Sequence, residues 1–463
     1  MKILQVLTYY RPHVSGLTIY VERLSQALVR QGHEVTVLTS QYDRKLPLQE
    51  RNGGVNIQRV TVAARVSKGV LMPTFGHWAT KFARQADIIH LHLPQFDAPG
   101  LALRGRFFGK PVVITYHCDL QLPQGAFNRA VDKVVSTMNQ TAGTLANAIV
   151  TYTRDYGENT PFLRQYMGRK LHIIPPPVEL EPCSEAQANS FRLQHQLGER
   201  PIIGISARLA TEKGVEVLLN ALPRILEAFP NALVLHAGPT QKVLGEEAYA
   251  ARLAPLFEQY KASYRLLGTL HGAELTAFYK NLDCLVISSL NSTESFGLVQ
   301  IEAMQNGVPV VASNLPGVRQ PVTMTGMGEV TPIGDHEALA EAVVRVLGNK
   351  AAYVKDGAVI GRAFSPDQTA EEYLRLFRDL LVNNVDKSTA EPRPYQLLRL
   401  MRDGQLPEEA LVVKASHKER RQVRKAEPQN QAFNTGWWGS RAVCRGLKSQ
   451  MWGGEVNGRV LAN

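Results

Sequence analysis

Residues 284–313 read "CLVISSLNSTESFGLVQIEAMQNGVPVVAS". Two short apolar runs, "CLVISS" and "VPVVAS", bracket a segment with room for one short helix, expected over residues 296–306. Apolar runs of strand length joined through a helix mark a crossover between parallel strands, buried on both faces. Two glutamates, Glu294 and Glu302, interrupt this otherwise apolar unit. Core packing has no use for a carboxylate, so the unit carries both a fold signal and a chemical one.

The same alternation extends in both directions. Upstream lie "PIIGISAR", a helix from about Val215 to Ala228, "ALVLHAG" and "YRLLGTL"; downstream lie "GEVTPI" and a helix from about Glu337. A second series occupies the N-terminal half: "KILQVLT", a helix from about Leu17 to Arg30 with Val21, Leu24 and Leu28 at helical spacing, then "EVTVLTS", "VNIQRV", "ADIIHLHLP", "KPVVITYH", "ANAIVTYT" and "KLHIIP". Strands alternating with helices predict an α/β fold of two Rossmann-like units, each a parallel sheet covered on both faces. Between the series, "IIPPPVEL" (residues 173–180) stacks three prolines, which remove backbone donors and stiffen the chain as a linker would. The expected division is 1–175, 176–365, a terminal helix over 366–385 that packs back toward the first unit, and a basic, disordered tail over 386–463. Within that tail, "PYQLLRLMRDG" could form one short helix.

Composition excludes several classes. No apolar run approaches the roughly 20 residues of a membrane helix. The start, "MKILQVLTYYRPHVSG", reads as a buried strand rather than a secretory signal. Cys118, Cys183, Cys284 and Cys444 lack metal or disulfide spacing, which fits a reducing cytoplasm. The net charge of +11 is concentrated beyond residue 386, where 14 lysines and arginines face 7 aspartates and glutamates. The charge is therefore weak support for nucleic-acid binding, and no specific nucleic acid is expected as a partner.

On a continuous helix, positions eight apart differ by roughly 80° in azimuth and about 12 Å along the axis. Glu294 and Glu302 are then too distant for the convergent carboxylates of a glycosidase, about 5–9.5 Å apart. They suit the two ends of an elongated ligand with a diol at each end, such as a nucleotide sugar. The amides of Phe296, Gly297 and Leu298 would face its phosphates at the helix start. The bland alternative is a dipole-favouring Glu294 and a solvated Glu302. A second group sits in "SARLATEKG": Arg208 and Lys213 follow the strand "PIIGIS", at the carboxyl end where open α/β sheets bind ligands. An arginine and a lysine before a helix start suit a diphosphate, although exposed loop cations are common.

With these residues in order, the chain resembles the retaining glycosyltransferases of family 4 with the GT-B fold, over about residues 1–385. "PHVSGLTIYVERLSQALVRQGHEVTVLT" is similar to that family's first loop, helix and second strand, and "DIIHLHLP" and "VVITYHCD" to later strand ends. The resemblance implies that Glu302 binds ribose and Glu294 contacts the transferred sugar, with the backbone of Phe296, Gly297 and Leu298. It implies that Arg208 and Lys213 hold the diphosphate and that His117 lies near the reacting carbon. Gly16 would bring the first loop to the phosphates or acceptor. The family often has two glycines there; here the first is Ser15. The implied chemistry is retaining transfer to a glycan, lipid or small-metabolite hydroxyl, with no cofactor and no required metal. The cysteine pattern puts the expected place in the cytoplasm, and the basic residues add peripheral contact at an anionic membrane as an expectation.

Other features carry competing readings. His90 and His92 share a strand face as a zinc pair might, but no third ligand is apparent. Asp119 could orient an acceptor hydroxyl, and Gly317 in "LPGVRQ" suits a turn. Arg104, Arg106, Lys110, Arg129 and Lys133 hint at an anionic surface. The competing functions are a sugar-nucleotide epimerase on the same fold and a non-catalytic binding protein whose working part is the basic tail.

Overall fold

The computed structural model describes residues 1–66, 69–120, 126–240, 243 and 245–407. Two sheets form. In the first, eight strands run in the spatial order Leu171–Ile173, Ala148–Thr151, Val112–Tyr116, Ile88–Leu93, Lys2–Val6, Glu34–Gln41, Val55–Thr61, Gln49–Asn52. All neighbours are parallel except the last pair. In the second, six parallel strands run Tyr264–Gly268, Leu233–Ala237, Ile202–Ser206, Cys284–Ile287, Val310–Ser313, Gly328–Thr331. The edge strand Gln49–Asn52, of sequence QERN, and the hairpin Ala64–Val66/Gly69–Leu71 were not expected. Their polar or exposed residues resemble loop, because an edge strand needs only backbone bonding on one side.

The first helix, Gly16–Arg30, begins with a reciprocal cap: Thr18 N–H donates to Ser15 Oγ (3.2 Å) and Ser15 N–H to Thr18 Oγ1 (2.9 Å). It buries Val21, Leu24 and Leu28 against one sheet face. Helices Phe75–Gln85 and Ala98–Phe107 cover the other face with Phe75, Ala79, Leu101 and Ala102. In the second sheet, helix Val215–Ala228 falls where the sequence pattern puts it.

The proline linker is not free. Pro175 O accepts from Thr369 Oγ1 (3.0 Å), and Val178 N–H donates to Phe364 O (2.7 Å). The returning helix Pro366–Leu381 packs on the first helix, with Tyr373 OH 2.7 Å from Tyr20 OH and Arg30 2.9 Å from Asp367. Its buried face holds Tyr373, Leu374, Phe377 and Leu380, whereas Leu381 is exposed. One apolar core is continuous from Leu24 through Phe377 to Ile301 and Met304.

The ordered chain runs past the expected boundary at 386. Helix Arg393–Arg402 is packed, with Tyr395 and Leu398 buried. Tyr395 OH donates to Tyr152 O (2.7 Å), Thr389 Oγ1 to Leu171 O (3.0 Å) and Arg402 Nη1 to Thr323 O (2.8 Å). The segment therefore straps both sheet units together. Its apolar period is too short to separate it from a basic tail by pattern alone. The remaining tail, 408–463, lies outside the described residues. No helix among the described residues is long and apolar enough to cross a membrane.

Candidate active site

Strand ends of both sheets meet across one region. On the second unit, strand Ile202–Ser206 ends in Ala207–Arg208. The flanking backbone is pinned: Ala207 N–H donates to Ala237 O (2.9 Å) and Leu209 N–H to Pro239 O (2.8 Å). A turn over Thr211–Lys213 then presents Lys213. Gly214 adopts φ +59°, and a Cβ there would stand 2.3 Å from Ser288 O, so only glycine fits between this turn and the neighbouring strand end.

The two glutamates do not share a helix. The helix is Leu298–Met304; Gly297 precedes it at φ +76°, and Glu294 lies in the turn before that. The left-handed residue breaks the helical path, so the azimuth expected for a continuous helix does not apply. Glu294 instead folds back: Oε1 accepts the Gly297 N–H (3.0 Å) and Oε2 the Lys213 ammonium (2.5 Å). The Gly297 amide, expected to face phosphate, is thus engaged by Glu294. Lys213 and Glu294 are each about one-fifth exposed, at 22% and 21%. Arg208 is paired with Glu212 and more open. Both cations expected at a diphosphate therefore stand at one strand end, each held by a carboxylate.

Glu302 is buried. Its Oε2 accepts from Tyr279 OH (2.8 Å) and its Oε1 lies 3.3 Å from Arg23 Nη2 of the first helix. Phe296 is a core residue, its ring against Tyr152 and Phe364, so only its backbone can serve a ligand. Leu298 packs at the edge of the same core.

On the first unit, strand Val112–Tyr116 ends in His117–Cys118–Asp119. Cys118 senses the charges of Glu294, Asp119 and Lys213, and burial first, then Glu294, pushes its thiol up to about 12. Asp119 N–H donates to Ser292 O (3.4 Å), which sets this strand end against the loop that carries Glu294. The His117 carbonyl accepts from Ser295 Oγ, directly next to Glu294. The His117 ring, however, points into protein. Its Nε2 is 2.9 Å from His92 Nδ1, and its Nδ1 is hydrogen-bonded to Tyr152 OH. Burial lowers its pKa to about 3, so it is a neutral imidazole. The expectation of a ring facing the reacting carbon is not what this geometry presents; the His117 carbonyl is bonded to Ser295 of the second unit and the ring is enclosed.

His90 and His92 do face one side, with ring centroids 4.3 Å apart. His92 Nε2 is 2.6 Å from Gln5 Oε1, and His90 Nε2 is 2.7 Å from Thr115 Oγ1, which in turn is 2.6 Å from Tyr373 OH. The pair thus belongs to a hydrogen-bonded histidine–tyrosine core. Gly16 opens the first helix, and a Cβ there would meet nothing within 4 Å. No crowding inside the chain demands a glycine at that position.

Sequence spacing missed three contacts between the units. Asp155 pairs with Arg319 (2.5 Å) and accepts from Gly317 N–H (2.8 Å), so the "LPGVRQ" loop is held by the first unit. Asp119 N–H donates to Tyr156 OH (2.9 Å), and Tyr156 OH to Ser292 O (3.3 Å). Arg23 reaches Glu302. None had a local signal, since the partners that join the two units are more than a hundred residues apart.

Comparison with known proteins agrees with this architecture. Residues 14–182 match the family described as Glycosyltransferase Family 4, and residues 188–359 match Glycosyl transferases group 1. An uncharacterised glycosyltransferase of Methanocaldococcus jannaschii is 27% identical over 401 residues, covering 82% of this chain and 98% of that protein. Phosphatidyl-myo-inositol mannosyltransferase of Mycobacterium leprae is 26% identical over 393 residues, 81% of this chain and 96% of its own. Among solved structures, sucrose-phosphate synthase of Thermosynechococcus elongatus superposes with a TM-score of 0.67 at 22% identity, over 82% of this chain and 99% of that one. The Anabaena protein HepE, solved with UDP-glucose, gives 0.63 at 17% identity, over 82% and 100%. With the Glycosyltransferase Family 4 match on the first sheet unit, the Glycosyl transferases group 1 match on the second and a GT-B fold, this chain belongs to glycosyltransferase family 4 and is a glycosyltransferase.

Proposed function

We propose that the chain transfers a glycosyl group from a nucleotide-sugar donor to a hydroxyl acceptor, with retention at the anomeric carbon. The observation that carries this is the Lys213–Glu294 pair, in a loop whose Ser292 and Ser295 bond the His117–Asp119 strand end of the other unit. Lys213 and Arg208 exchange their carboxylate partners for the donor diphosphate and stabilise its growing charge as the glycosidic bond breaks. Glu294, released from Lys213, takes hydroxyls of the sugar, and Glu302 those of the ribose. Gly16 leaves room for the acceptor or the phosphates. The acceptor oxygen attacks from the face the diphosphate leaves, and the departing phosphate oxygen takes its proton. His117 acts through its backbone and by shaping the cleft wall. Side chains supply the charge neutralisation, so the expected rate is the same in EDTA.

The acceptor class has support from two names among the relatives: phosphatidyl-myo-inositol mannosyltransferase and the D-inositol 3-phosphate glycosyltransferase of Xylanimonas cellulosilytica, 26% identical over 395 residues. An anionic hydroxyl acceptor, or a lipid bearing one, is the reading we adopt. Helices Phe75–Gln85 and Ala98–Phe107 carry no acidic residue and expose Leu103 (60%) and Phe107 (79%). That face suits peripheral contact with anionic lipid, although Arg104, tied to Thr80 and Gly100, serves the fold instead. Thermal shifts with UDP, GDP, ADP and their sugar conjugates test the donor reading. One nucleotide family should stabilise the chain by about 2.7 kcal/mol at 100 times its dissociation constant. Lys213→Ala and Glu302→Ala should lose that shift, and full shifts in both variants would remove the assignment.

A further inference from the structure

Resting on the reading of Glu302 as the ribose acceptor, we propose that Arg23 is a competitor built into the donor site. In the ligand-free chain it holds Glu302 and the joint between the units, and ribose must displace it. The guanidinium of Arg23 touches three acceptors. Its Nη1 donates to Pro177 O (3.3 Å), and its Nη2 donates to Glu179 O and lies 3.3 Å from Glu302 Oε1. Pro177 and Glu179 belong to the proline linker joining the two sheet units, while Arg23 sits on a helix of the first unit and Glu302 on a helix of the second. The second oxygen of Glu302 is taken by Tyr279 OH, itself 3.2 Å from Ser206 Oγ. Both carboxylate oxygens are thus engaged before any diol arrives. The side chains of Arg23 and Glu302 are 14% and 10% exposed, so water screens the contact weakly.

A carboxylate oxygen has two lone pairs, and a vicinal diol needs one clear direction on each oxygen. The guanidinium, planar and branched, blocks approach to Oε1 more than a hydroxyl does. When ribose takes Glu302, Arg23 keeps only the linker carbonyls, and the side-chain tie it makes between Glu302 and the linker is lost. Donor occupancy is therefore coupled to the joint about which the units can close.

The test uses UDP, GDP and ADP, each beside its 2′,3′-dideoxy counterpart, on the full chain by titration calorimetry. Wild type should bind the ribonucleotide more tightly than the dideoxy form. Equal binding, or binding of none of the six, would remove the Glu302 reading and the proposal with it. In Arg23→Met, which keeps the length of the side chain and removes its donors, ribonucleotide binding should tighten roughly three- to tenfold, with dideoxynucleotide binding unchanged. Arg23→Lys, which restores one cation, should return toward wild type. Weaker ribonucleotide binding in Arg23→Met, or an equal gain for both nucleotide forms, would overturn the competition while leaving the ribose reading intact. Circular dichroism and melting of the variants separate misfolding from either result; a misfolded Arg23→Met hands the same comparison to Arg23→Gln.

Discussion

The enclosed histidines make a quantitative prediction about acid. His90 and His117 are buried among Tyr20, Tyr152 and Tyr373, and burial lowers each to about 3; His92, between them, is lowered as well. A histidine in the unfolded chain titrates near 6.5. The folded state therefore binds fewer protons than the unfolded one below that value. Stability is fully present above pH 6.5 and is lost as the pH falls toward 3. For a group titrating at 6.5 unfolded and about 3 folded, the loss between pH 7 and pH 5 is about 2 kcal/mol, so His90 and His117 together remove about 4 kcal/mol. The perturbation that isolates one of them is His90→Phe. The His90 ring lies 4.9 Å from a tilted Tyr373 and 5.8 Å from an edge-on Phe377, an environment that accepts a phenyl ring, and Thr115 keeps its bond to Tyr373. Urea unfolding at pH 7, 6 and 5 should show a pH-dependent loss smaller by about 2 kcal/mol in His90→Phe than in wild type. His236, lowered to about 4 and bonded to Ala207 O and Tyr264 in the second sheet, contributes equally to both chains and cancels. Identical pH dependence in the two proteins would refute the reasoning.

The cleft sets three further outcomes. Lys213→Ala should lower the transfer rate by about a hundredfold or more, as loss of a group that stabilises transition-state charge does, with melting shifted little; a rate within a few-fold of wild type would contradict its role. Gly214→Ala meets Ser288 O at a φ of +59°, so it should cost at least about 2 kcal/mol in unfolding and also displace Lys213 enough to weaken nucleotide binding. Gly16→Ala has open space in the ligand-free chain and replaces glycine in a helix first turn, so stability should hold or rise by up to about 1 kcal/mol while transfer slows; unchanged turnover would mean no ligand approaches that position.

The fold was legible because both sheets use short apolar strands at a regular interval. The helix Val215–Ala228 and the strand ends carrying Arg208, Lys213 and His117 lie where local pattern puts them. Legibility failed where one residue changes the backbone path: Gly297 in the left-handed region separates Glu294 from the helix of Glu302. It failed again where function depends on distant partners. The strand alternation put His90 and His92 on one face, but only the parallel register, His92 beside Thr115, brings His117 against them. Arg23 looks like a solvated helix cation until the second unit folds and sets Glu302 beside it. The apolar side of Arg393–Arg402 acquires meaning only from the two units it straps.

The most direct measurement is the anomeric configuration of the first sugar product. The nucleotide sugar that raises the melting temperature is incubated with the chain, and the anomeric proton of the product, or of sugar released to water, is followed by NMR before mutarotation. Retaining transfer gives the donor's own configuration at the earliest time points, with product from Lys213→Ala forming at least about a hundredfold more slowly. A product of inverted configuration would contradict it.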